Sequence, residues 1–120
     1  MSINIKRIYE PAEDKDGIRI LVDRIWPRGI SKNKAKLDYW LKGIAPSTAL
    51  RKEFNHDPKH FPMFKQKYWE ELQEGEQQEQ LAKLKEIINE HPDITLLYAA
   101  KNEIYNQAVV LKELIESELG

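Results

Sequence analysis

Apolar residues recur along this chain with two different periods, and the change of period marks where strands give way to helices. INIKRIY, residues 3 to 9, sets Ile3, Ile5 and Tyr9 against polar neighbours, broken only by Ile8. That two-residue period predicts a half-buried first strand. EPAEDKDG, residues 10 to 17, is a turn-rich connector. Residues 18 to 26 contain the continuous run Ile20, Leu21, Val22, which suits a strand buried on both faces. Pro27 stops it, and WPRG places proline and glycine where a type I turn accepts them. A third strand, ITLLYAA, occupies residues 94 to 100.

Between these runs the spacing lengthens to three and four. Leu37, Trp40, Leu41 and Ile44 predict a first helix over about residues 33 to 43. Ser47 is placed to cap a short helix with Leu50 and Phe54 inward, and Asp57-Pro58 to start another whose core face is Phe64, Tyr68 and Leu72. After Gly75, Leu81, Leu84 and Ile88 define a helix over about 76 to 90 whose charged remainder is solvated. Asn102 is placed to cap a last helix with Ile104, Ala108, Leu111 and Ile115 inward. Strands alternating with helices predict an α/β fold: one compact domain over residues 1 to 120, with a small, largely parallel sheet and surrounding helices. The eight-residue connector is short for a parallel crossover and comfortable for a hairpin, so the direction of the first strand stays open.

Composition removes several function classes. The 20 acidic and 19 basic residues sum to a charge of −1, so no global field draws the molecule to nucleic acid or an anionic membrane. The chain has no cysteine, which excludes disulfides, thiolate nucleophiles and thiolate-based zinc sites and accords with a reducing cytoplasm. No stretch of roughly 18 apolar residues occurs, and MSINIKRIYEP lacks the apolar core of an export signal. A cytoplasmic protein without a membrane contact is expected. There is no HExxH pair, nucleophile elbow or Walker-type loop, and neither a metal site nor a cofactor is indicated.

Chemistry gathers where the second strand ends. ILVDRIWPRG, residues 20 to 29, closes a core-like run with Asp23, Arg24 and Arg28, groups that cost several kcal/mol to bury without partners. If the second and third strands are parallel, YAAKNEIYNQA, residues 98 to 108, lies at the same sheet edge, where open α/β sheets bind ligands. Arg24, Arg28, Lys101 and Asn102 are then expected to hold a small anionic ligand, helped by the free N–H groups of a helix start. Asp23 is the candidate proton acceptor, with His56 and Tyr105 as catalytic assistants. Each has a structural alternative: Asp23 and Arg24 as members of ion pairs, Arg28 as a turn residue, His56 as a surface group and Asn102 as a cap alone. A different reading uses the basic segment Arg24, Arg28, Lys32, Lys34 and Lys36 as a non-catalytic nucleic-acid or protein-interaction module.

GIRILVDRIWPRG, APSTALRKEFNHDP and TLLYAAKNEIYNQAVVL resemble, in the same order and over nearly the whole chain, DUF488 proteins of the YeaO type. That resemblance implies a bacterial or archaeal cytoplasmic α/β domain of unknown function and inclines the first strand toward a parallel placement. Family patterns commonly carry arginine at the position of Lys101 and histidine at the positions of Tyr105 and Gln107. Lysine keeps the charge but not the planar fork, and neither tyrosine nor glutamine relays protons near pH 7 as histidine does.

Overall fold

A computed structural model describes residues 2–119. The alternation at the amino terminus becomes the edge strand β1 (Ser2–Arg7), with Ile3 buried and Asn4 exposed. The chain continues through β2 (Ile18–Leu21), α1 (Lys32–Ala35), β3 (Tyr39–Trp40), α2 (Thr48–Phe54), α3 (Phe61–Glu71), α4 (Gly75–Glu90), β4 (Asp93–Tyr98) and α5 (Gln107–Leu119). The strands form one sheet in the order β1-β4-β2-β3, and every pairing is parallel. The α/β class and the parallel sheet expected from the pattern are therefore present.

Helices cover one face of the sheet. Ile3, Ile20, Ile94 and Leu96 join Leu50, Phe54, Phe64, Tyr68, Leu84, Leu111 and Ile115 in the main core. The opposite face carries a smaller cluster of Leu21 and Leu97 under Ile8 and Ala35. Period-two alternation accounts for the division, because Ile20 and Leu21 point to opposite sides of the same strand.

The first connection is parallel despite its shortness, and three strand residues show how. It crosses the face opposite the main core, over β4 and beside α1. Lys6 of β1 meets Glu13 at 3.0 Å and Asp16 at 3.1 Å, Thr95 of β4 donates to the Asp16 carbonyl at 2.7 Å, and Arg19 of β2 meets Asp16 at 2.6 Å. Each neighbouring strand thus supplies one polar side chain to fasten the crossing. Arg19 also donates through Nε and Nη2 to the Ala35 carbonyl at 3.0 and 2.8 Å, which ties α1 to the same face. Gly17 ends the crossing at φ 66°, where a Cβ would stand 2.3 Å from the Asp93 carbonyl oxygen. A backbone atom that close leaves no room for any side chain.

The helix expected over 33 to 43 is one turn long, and its stripe belongs to other elements. Ser31 caps α1, but Lys36 takes a left-handed φ of 47° and ends it. Asp38 then donates to the Arg19 carbonyl at 2.9 Å and Leu41 to the Leu21 carbonyl at 3.0 Å, so the sheet takes up Tyr39 and Trp40 as an edge strand. Ladder bonds to β2 outweigh a local helical period. The second strand is likewise shorter than its expected span, stopping at Leu21 with one further ladder bond from Val22 to Leu97.

Tyr68 lies fully buried in α3 and donates to the Ile44 carbonyl at 2.5 Å; burial raises its phenol pKa well above the ordinary value. Tyr68→Phe is expected to cost about 1–2 kcal/mol, because that carbonyl loses its donor without regaining water. Chemical denaturation checks this; an unchanged midpoint would show that the carbonyl finds another donor.

Candidate functional site

Because β2 and β4 are parallel, the segments that leave them emerge on one edge, as the sequence required of a site there. The Asp23 carboxylate bridges the two. It accepts from the Ala99 N–H at 2.9 Å and from the Gln107 side-chain amide at the start of α5. The Asp23 carbonyl accepts from the Trp40 indole at 2.7 Å. One residue therefore joins the ends of β2 and β4 to β3 and α5. Burial pushes the Asp23 carboxyl up to about 6, against the Ala99 N–H, the Gln107 amide and the Arg51 charge, which all favour the anion.

Beyond these strand ends lies a cleft of about 420 Å³. Arg24 and Arg51 line it from different elements, the first following β2 and the second on α2. Arg24 is held by its Nη2 bond to the Ala45 carbonyl at 3.0 Å, and Arg51 reaches Thr48 Oγ1 at 3.4 Å. The Nε atom of each guanidinium is buried without a hydrogen-bond partner among the described residues. Arg28 is exposed at the mouth, and its carbonyl accepts from Tyr9 at 2.8 Å.

His56 and Tyr105 also line the cleft. His56 is exposed and follows Asn55 in a second consecutive left-handed conformation, φ 54° after 50°. That sharp bend after α2 brings the imidazole to the cleft, 6.2 Å from the Phe54 ring. Among the described residues no hydrogen bond joins His56 or Tyr105 to Asp23. Lys101 is exposed and lies outside the lining. Asn102 also lies outside it: its Oδ1 accepts from the Ile104 and Tyr105 N–H groups, both at 2.9 Å, and shapes a turn. The last helix starts four residues later than expected, capped by Asn106, which accepts from Val109 at 3.1 Å, so Ile104, expected inward, precedes it and is 66% exposed.

Arg51 belongs to the site but did not emerge from sequence reasoning, because it has the composition of a solvated helix face, and Gln107 was noticed only as a departure from the family pattern, not as a partner of Asp23. The available signal was the amphipathic spacing around Leu50 and Phe54, which places Arg51 next to the inward face.

An all-parallel α/β sheet with a cationic cleft beyond its strand ends defines a small cleft-forming α/β protein. The chain belongs to the DUF488 family: the model described as the inactive DUF488-N3 subclade matches residues 2–120. It is 47% identical over 117 residues to uncharacterized protein YeaO of Escherichia coli (strain K12), covering 98% of this chain and 99% of that protein. Uncharacterized proteins of Mycobacterium bovis and Mycobacterium tuberculosis are 35% identical over 113 residues, 94% of this chain and 92% of theirs. No solved structure gives a significant match. Among the described residues no helix is long and apolar enough to cross a membrane, and no group of three or more acidic or histidine side chains is placed to hold a metal ion.

Proposed function

We propose that the protein binds a small anionic ligand in this cleft without transforming it, with Arg24 and Arg51 as the anion's partners and Arg28 guarding the mouth. The observation that carries the reading is the pair of guanidinium groups with buried, unpartnered Nε donors. Among the described residues the two side chains meet only a carbonyl and a hydroxyl, so a carboxylate or phosphate in the cleft would supply the charge-assisted partner that each guanidinium lacks. Two facts favour binding over turnover. The subclade is described as inactive. Where the family resemblance implies histidine, Gln107 offers Asp23 a fixed amide donor, so the carboxylate has no proton relay beside it. Asp23, His56 and Tyr105 then shape and polarise the cleft, and Lys101 contributes only a distant charge.

The nucleic-acid reading of residues 24 to 36 receives less support, since Arg24 turns into the cleft while Lys32, Lys34 and Lys36 stand exposed on and beside α1. Titration with inorganic phosphate, followed through backbone amide shifts, separates the two. Shifts are expected at Asp23, Arg24, Ala99 and Gln107, and Arg24→Gln or Arg51→Gln should weaken affinity about tenfold, the value of one lost charge-assisted bond of about 1.4 kcal/mol. Lys34→Gln should leave it unchanged. Shifts centred on α1, or equal losses in all three variants, would remove the cleft reading.

A further inference from the structure

The cleft has a second character besides its charge. Phe54 and Phe64 lie stacked at its floor, centroids 4.4 Å apart and planes 22° from parallel. Tyr105, set edge-on against Phe61 at 5.1 Å, forms one side. At the mouth Ile25 is 66% exposed and Tyr9 43% exposed, two of the four large apolar residues left so open among the described ones. A lone exposed isoleucine needs no explanation, but two such residues lining the same cleft continue its apolar wall outward. A bare anion placed between Arg24 and Arg51 would leave that wall against water.

Resting on the anion-binding reading above, we infer that the ligand is an aromatic anion: a ring lying between Tyr105 and Ile25, with its carboxylate or phosphate between Arg24 and Arg51. Ring faces and edges suit such walls, since aromatic groups prefer offset or edge-on neighbours, and a guanidinium that holds an oxygen anion also attracts a nearby ring face, more weakly. Burying a ring also removes the apolar mouth from water, so the ring itself should add affinity. The cleft volume of about 420 Å³ lies within the range of sites for ligands of this size.

The test compares probes that differ only in the ring: benzoate against acetate, and phenyl phosphate against methyl phosphate, by calorimetry on the full chain. The aromatic member of at least one pair should bind tenfold or more tightly, and the pair that responds identifies the acid. Ile25→Ser, at an exposed position that leaves the core untouched, should reduce that ring advantage threefold or more while leaving acetate or methyl phosphate affinity as it was, and Tyr105→Ser should reduce the ring advantage by as much. An advantage below threefold in both pairs, cyclohexanecarboxylate equal to benzoate when the carboxylate pair responds, or an advantage unaltered in both variants would overturn the inference. Absence of binding by all four anions would instead overturn the anion-binding reading beneath it.

Discussion

Asp16→Ala is expected to lower the stability of the fold by about 3–5 kcal/mol, the usual consequence of removing one member of a buried ion pair. Asp16 is 5% exposed and Arg19 4%, and the two meet at 2.6 Å. The same carboxylate accepts from the Glu13 N–H at 2.9 Å and from Lys6. Alanine would leave the Arg19 guanidinium beneath the crossing with only the Ala35 carbonyl for a partner. For a chain of this length the melting temperature should fall by roughly 10–20 °C. Lys15→Ala, next to it but largely exposed, should change stability by less than about 0.5 kcal/mol. Equal melting temperatures for the two variants would mean that the crossing is held by something other than this ion pair.

The contribution has a pH signature. Burial works against the Asp16 charge, but the Glu13 N–H, Lys6 and Arg19 outweigh it and hold the carboxyl below its ordinary 3.8. Its stabilisation is therefore present above that value and is lost as pH falls through the lower folded value.

Asp23→Asn should act in the opposite direction. The folded Asp23 carboxyl lies at about 6 against an ordinary 3.8, so the native state holds its proton more tightly than the unfolded chain. Its favourable contribution is complete below about 3.8, declines as pH rises toward 6, and is gone above that. At about 1.4 kcal/mol per pH unit the decline amounts to about 3 kcal/mol. Asparagine keeps an oxygen for the Ala99 N–H, and the Gln107 amide can turn its own oxygen toward the new amide, so the clasp between strand ends survives without the charge. The variant should be the more stable protein at pH 7, by up to about 3 kcal/mol, and should lack the decline between pH 4 and 6. Urea denaturation across that range measures it; parallel curves for the two proteins would sink the assignment. Sulfate, whose charge is constant there, should lose affinity for the natural protein more steeply than for the variant as pH rises from 5 to 7.5, since only the former gains a negative charge at Asp23.

These two aspartates show how differently legible the chain was. ILVDRIWPRG announced Asp23 as chemically significant, because a charge straight after a core-like run must either find partners or stand at an edge. Its carboxylate does both. Asp16 sat in a connector read only as turn-rich, and Arg19 drew no reading of its own within the second strand. Their pairing depends on the connector crossing β4, a fact of topology that no local period records.

The hydrophobic pattern alone determined the buried strands, the helices between residues 48 and 90, the body of the last helix and the α/β class, because burial of one face is a local requirement repeated along each element. It also determined that Asp23 and Arg24 would share an edge with residues 98 to 108 once β2 and β4 ran parallel. Only the tertiary structure decided the direction of the first strand, the conversion of Tyr39 and Trp40 from helix to strand, and the arrival of Arg51 and Gln107 beside Asp23. Each of these rests on a partner distant in sequence: ladder bonds to β4 and to β2, a guanidinium on α2, an amide on α5. The free energy of such a contact belongs to two segments together, so neither segment carries it in its own pattern.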